Sequence, residues 1–185
     1  MIEIFFEGHA LTLDNLAGVA SGHRDVALAE AGIEQASSKR RDRYAKESFD
    51  VIYTSDTQRA YETAQLIFEG RDIPIIKDSR LRECNYGDYE GRPRTEMEVF
   101  RPASHSEPFP NGESYEQVSA RMRDFIDLVL TKRSEKRILL VGHMATIWML
   151  EYWLDGRDLN EVIGHVPKQR VFTLDVNEWP KLRNR

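Results

Sequence analysis

At 185 residues the chain suits one domain with room for a real core. Hydrophobic residues make up 41% and charged residues 31%, an ordinary globular balance, and the net charge of −5 is spread along the length. That argues against non-specific binding to nucleic acid or to an acidic membrane, and no apolar run approaches membrane-spanning length.

The only cysteine is Cys84, so no internal disulfide and no cysteine-based zinc site is expected. Glu3 and Glu7 interrupt the opening apolar run, which therefore does not read as a signal peptide, and a cytoplasmic protein is expected. No repeat, low-complexity tract or linker divides residues 1–185.

The opening run Ile2-Glu3-Ile4-Phe5-Phe6 reads as a buried strand ending at Gly8-His9, with Thr12 and Asp14 as helix N-caps after it. Residues 16–25 are small and polar, which suits a loop approaching a ligand closely. A helix is expected from 28 to about 46, with Lys39, Arg40, Arg41 and Arg43 as its solvated end. A short buried strand covers 50–54. Ser55 or Asp56 then caps a helix carrying Ala60, Ala64, Leu66 and Ile67 on one side. Residues 73–76 form a third strand, whose Pro74 marks an edge or a strand start. The stretch 81–112 is irregular, its four prolines excluding one long helix but leaving room for a short one near 95–100. Loops of that length are usually lids or binding segments. Ser114 and Gln117 form a capping box for a long helix with Val118, Met122, Phe125, Ile126, Val129 and Leu130 as its apolar stripe. Residues 137–141 are the clearest buried strand, ending at Gly142-His143 before a helix over 145–154. A last strand covers 171–176, and Trp179-Pro180 falls in a peripheral tail. Alternating strands and helices predict an α/β fold: a three-layer α/β/α sandwich around a mostly parallel central sheet.

Two strands thus end in Gly-His. If they are neighbours, His9 and His143 meet at one edge of the sheet, where open α/β sheets bind ligands and helix N-termini favour an anion. Arg59, just after another strand, adds a cation able to grip phosphate oxygens. Glu83, after the third strand, is a candidate general acid. The bland alternative is a loop histidine with a purely structural hydrogen bond.

The motifs that follow one another along the chain are His9-Ala10-Leu11-Thr12-Leu13-Asp14-Asn15, Gly22-His23-Arg24-Asp25, Gly32-Ile33-Glu34-Gln35-Ala36, Tyr53-Thr54-Ser55-Asp56-Thr57-Gln58-Arg59, Leu81-Arg82-Glu83, Gly87-Asp88-Tyr89-Glu90-Gly91, Gly112-Glu113-Ser114 and Val141-Gly142-His143. In order and spacing the sequence resembles the histidine phosphatase superfamily, also called phosphoglycerate mutase-like, from the first strand to about Leu154. The resemblance implies a phosphomonoester hydrolase. His9 would form a phosphohistidine, His143 and Arg59 would hold the phosphoryl oxygens, and Glu83 would protonate the leaving oxygen and then activate water. Asn15, Ser21 and Gly22 would add phosphate contacts. No metal or organic cofactor is implied, and the partner is a small phosphorylated substrate or inorganic phosphate.

The sequence departs from the superfamily at its first motif. Gly8-His9-Ala10 stands where Arg-His-Gly is usual, so a phosphate-gripping arginine is missing. Arg24, Arg80 and Arg82 are candidate substitutes, with His23 near in sequence. Glu7 shares a strand face with His9, where a carboxylate would favour the imidazolium, which cannot attack, unless one of those arginines pairs with it. Three further readings remain: a non-catalytic phosphate-ligand binder, a metal site of Glu7, His9 and His143, and mutase-type phosphoryl transfer. Hydrolysis is favoured over transfer because the lid segment, about 84–113, is short beside the lids of mutases. Met144 either narrows the pocket or packs on the sheet. Trp148, Met149, Tyr152 and Trp153 read as core, and Cys84 as a small buried hydrophobe. Substrate identity stays open, as does the oligomeric state, a dimer included.

Overall fold

Strand β1 (Ile2–Gly8) lies beside a strand 135 positions further along, not beside its neighbours in sequence. The computed structural model describes residues 1–132, 134–168 and 170–184, and the side chains of 130–132, Leu130 of the expected stripe among them, lie outside the described residues. After β1 come helix α1 (Leu13–Ala17), α2 (Glu30–Gln35), a π-helical segment Ala36–Arg40 and α3 (Arg41–Tyr44). The expected 28–46 helix is therefore present, with a π insertion that shifts the side chains after it. Strand β2 (Val51–Thr54), helix α4 (Gln58–Ile67) and strand β3 (Ile75–Lys77) follow. Next are α5 (Arg94–Phe100), α6 (Tyr115–Lys132), β4 (Arg137–Gly142), α7 (Met144–Asp155), α8 (Leu159–Val162), β5 (Val171–Leu174) and α9 (Trp179–Leu182).

The sheet order is β3-β2-β4-β1-β5, with β5 antiparallel and the other pairings parallel. Buried residues of β4 alternate between two cores. Ile138 and Leu140 face α6 and α7, with Met122, Phe125 and Ile126 among their neighbours. Leu139 and Val141 face α3 and α4, with Tyr44, Ala64 and Ile67. Each fully buried aliphatic side chain contributes about 1.5–3 kcal/mol, so β4 is the main anchor of the three layers. This is the α/β/α sandwich expected from the alternating pattern.

Three local expectations need correction. Helix α4 is preceded by Thr57 in extended conformation without a side-chain cap, because Asp56 is engaged by Arg82 and the Ser55 hydroxyl lies 3.2 Å from that of Thr57. Trp179 is not peripheral: it is buried, stacks edge-on with Trp153 and donates its indole N–H to Asp127 at 2.6 Å. The last strand stops at Leu174. Of the two caps expected after β1, Thr12 is the N-cap and Asp14 lies inside α1. Thr12 and Asn15 close a capping box on α1, and Ser114 and Gln117 do so on α6.

Candidate active site

Parallel register sets the two histidines. Gly8 pairs with Gly142, and the His9 N–H donates to the Gly142 carbonyl at 2.9 Å, so both rings leave the sheet at the same level. Their centroids are 5.1 Å apart. Gly142 has to be glycine: a Cβ there would lie 2.6 Å from the Thr146 hydroxyl oxygen. That hydroxyl accepts from the His143 N–H at 3.2 Å and donates to the Leu81 carbonyl at 3.1 Å, tying the start of α7 to the turn before Glu83.

The tautomer of His9 follows from its one ring hydrogen bond. Nδ1 lies 2.8 Å from the Ala10 carbonyl oxygen, which can only accept, so Nδ1 carries the proton and Nε2 keeps its lone pair. Burial and the nearby Arg59 charge lower the His9 pKa from 6.5 to about 4, opposed in part by that carbonyl bond. His9 is therefore neutral at physiological pH. His143 is pushed the same way by burial first and Arg59 second. An Arg59 Nη2, which can only donate, stands 3.5 Å from His143 Nδ1, and Thr57 Oγ1 lies 3.3 Å from Nε2.

Arg59 is buried within the first turn of α4. Its Nη1 and Nη2 each donate at 2.7 Å, to the carbonyls of Arg24 and Gly22, while its Nε–H is buried without a partner among the described residues. Thr63 completes the support: it accepts from the Ala10 N–H at 2.9 Å and donates to the Arg59 carbonyl at 2.6 Å. The backbone after the nucleophile candidate and the backbone bearing the guanidinium are thus held by one hydroxyl.

A cavity of about 180 Å³ collects these groups. Its wall includes His9, Arg59, Glu83 and His143, together with Asn15, Ser21, Gly22 and Met144. All four residues expected to carry chemistry therefore meet, and four of the six expected substrate contacts join them. Glu83 is buried, accepting from the Cys84 N–H at 2.8 Å and from the Ala145 N–H at 3.5 Å.

Arg24 and Arg82 do not line the cavity, which corrects the expectation that they replace the missing arginine. Asp56 holds Arg82 in a two-pronged ion pair at 2.6 and 2.7 Å. Arg24 contributes its carbonyl to Arg59, not its charge to the pocket. Arg80 is held by Asp78, with Nε at 2.8 Å from Oδ1. His23 turns to the Glu83 carbonyl at 2.8 Å. A Cβ built on Gly8 would meet no residue other than its chain neighbours within 4 Å, so the first atom of a side chain has room there.

Glu7 faces away from the anion space. Arg40 at 3.0 Å, Arg43 at 2.9 Å and the Tyr44 hydroxyl at 2.8 Å take its carboxylate. Lys39 and Arg43 of the basic helix end are solvated as expected, but Arg40 and Arg43 also neutralise a buried acid, different arginines from those expected to pair with it. The metal reading of Glu7, His9 and His143 falls with it, and among the described residues no group of three or more His, Cys, Asp or Glu could hold a metal.

Several cavity residues were missed from sequence. Trp148 is buried yet lines the cavity beside Tyr86. Arg94, Met97 and Arg101 of the 84–113 segment also line it. Their i, i+3, i+7 spacing puts them on one helix face, the signal that would have found them.

A profile of the histidine phosphatase superfamily (branch 1) matches residues 4–178. The chain belongs to the histidine phosphatase superfamily. This superfamily member is 34% identical over 168 residues to the 2,3-bisphosphoglycerate-dependent phosphoglycerate mutase of Methylobacterium sp., covering 81% of this chain and 79% of that protein. It is 29% identical over 169 residues to phosphoserine phosphatase 1 of Hydrogenobacter thermophilus, covering 87% and 80%. The solved structure of Bacillus stearothermophilus YhfR superposes with a TM-score of 0.82 at 25% identity, covering 95% and 92%. Among the described residues no helix is long and apolar enough to cross a membrane.

Proposed function

We propose that this histidine phosphatase superfamily member hydrolyses phosphate monoesters through a phosphohistidine on His9. One observation carries the reading: a neutral imidazole with its Nδ1 proton tied to Ala10 shares a cavity with a buried guanidinium whose Nε–H has no partner. Nε2 of His9 attacks phosphorus, the P–O bond to the leaving group breaks, and Glu83 in its acid form gives that oxygen its proton. Arg59 and His143 bear the charge on the phosphoryl oxygens. Water then attacks phosphorus, Glu83 accepts its proton, and the P–N bond breaks to release phosphate and neutral His9. The 84–113 segment serves as the lid of a single domain. Its shortness and the small cavity favour water over a second phosphorylated substrate as acceptor.

The test is hydrolysis of phenyl phosphate with rapid acid or base quenching. Base-stable, acid-labile phosphate on His9 in the first turnover, and its loss together with activity in His9→Ala, are expected. Absence of turnover over a panel of phosphate esters, with no label on His9, would overturn the reading. A phosphate-ligand binder would remain, the reading favoured by the vacant space at Gly8.

A further inference from the structure

Resting on the phosphatase reading, we infer that the His9 site also hydrolyses phosphodiesters, the second ester group taking the open space beside Gly8.

Gly8 lines the cavity one residue before His9, and among the described residues a Cβ built on it would meet nothing beyond its chain neighbours within 4 Å. Phe6 stands two positions earlier, on the same face of β1, and also lines the cavity, so the space has an apolar neighbour. None of Arg40, Arg80 and Arg82 serves that space. Arg80 is held by Asp78 at 2.8 Å and Arg82 by Asp56 at 2.6 Å, while Arg40 reaches the Gly8 carbonyl from outside the cavity wall.

Charge points the same way. The charges that bear on His9 are Arg59 and then Arg40, and Arg40 is matched by Glu7 at 3.0 Å. Arg94 and Arg101 line the cavity but are not among them. Both imidazoles are neutral, since burial and Arg59 lower the pKa of each. With Glu83 in its acid form, one unmatched guanidinium therefore faces the phosphoryl group. A phosphodiester carries one negative charge and a monoester at neutral pH close to two, and a charge left unmatched in a buried site is costly. A proton on a monoester would also balance Arg59, but only an ester group uses the room at Gly8.

The steps are those of the monoester reaction with one substituent more. Nε2 of His9 attacks phosphorus, the P–O bond to the leaving alcohol breaks, and Glu83 gives that oxygen its proton, so the phosphohistidine keeps the second ester. Water then attacks phosphorus, Glu83 accepts its proton, and the P–N bond breaks. The products are an alcohol and a phosphate monoester, with His9 again neutral.

The experiment compares methyl para-nitrophenyl phosphate with para-nitrophenyl phosphate at neutral pH. The wild-type protein is expected to cleave the diester with kcat/KM within about tenfold of the monoester, where a site matched to the dianion loses about 10² or more. In base-quenched protein the His9 adduct from the diester should be one CH2 heavier than that from the monoester. Gly8→Arg adds a cation and Gly8→Leu fills the space without one, and each should lower the diester-to-monoester ratio by about tenfold or more. A wider monoester preference in the wild type, adducts of equal mass from the two esters, or a ratio unchanged in both variants overturns the inference. Should the monoester also stay intact, the hydrolase reading fails separately. Titration calorimetry with phenylphosphonate and its monomethyl ester then decides the diester pocket by itself: the monomethyl ester should bind at least as tightly, and binding of the dianion alone overturns it.

Discussion

Arg40 bridges Glu7 and the end of β1: its Nη1 lies 3.0 Å from the Glu7 carboxylate and donates to the Gly8 carbonyl at 2.5 Å. The π-helical segment before α3 places it there, behind the strand and outside the cavity wall. It therefore neutralises the acid that would otherwise favour imidazolium at His9, while its own charge lowers the His9 pKa.

Arg40→Gln is expected to move the acidic limb of kcat/KM to higher pH by about 0.5–1 unit. The other groups that face His9 stay in place: Arg59 from α4, His143 at the start of α7, and Glu83. Glu7 keeps Arg43 and Tyr44. A pH–rate profile from pH 4 to 8 checks this. A limb that stays put, or moves down, would contradict the role assigned to Arg40.

Acid should weaken the fold through the same histidines. Folding lowers the His9 pKa from 6.5 to about 4, so between those values the unfolded chain binds a proton that the folded chain refuses. This contribution is fully present above pH 6.5 and is lost as the pH falls towards 4, by about 3 kcal/mol from His9. His143 acts in the same direction. Urea unfolding at pH 7, 5.5 and 4.5 should show steadily falling midpoints, and constant midpoints would refute it.

Gly8→Arg should fit and should grip phosphate. A Cβ at Gly8 meets nothing within 4 Å, and the position borders the cavity. A charge-assisted hydrogen bond contributes about 1.5–3 kcal/mol, so inhibition by inorganic phosphate should tighten about tenfold or more. An unchanged inhibition constant would mean that the new guanidinium turns away, for example towards Glu7.

Gly22→Ala should damage both fold and activity. Gly22 has φ near +51°, and a Cβ there would come within 2.1 Å of Glu90 Oε1, which accepts from the His23 N–H at 2.6 Å. Its carbonyl also holds Arg59. Backbone strain alone costs about 1–2 kcal/mol, and a misplaced Arg59 should lower kcat by about 10² or more. Alanine at the exposed Gly70, which has open space around it, controls for the conformational cost alone. Equal losses at both positions would show that the Arg59 contact carries no weight.

The layered fold and the meeting of His9, Arg59, Glu83 and His143 in one cavity were legible in the order of residues. Strand periodicity, Gly-His strand ends and cap spacing are local properties, and parallel α/β geometry brings strand ends to one edge. Charge partners were not legible. Arg24 and Arg82 were expected at the phosphate and stand elsewhere, Arg82 on Asp56, whereas Arg40 and Arg43, expected in water, neutralise Glu7. A long flexible side chain reaches whatever acid the packing brings near it, and for Arg40 and Arg43 one π turn made that choice. Arg101 is the same case: its spacing from Met97 sets a helix face, but only the packing of α5 against Trp148 turns that face to the cavity.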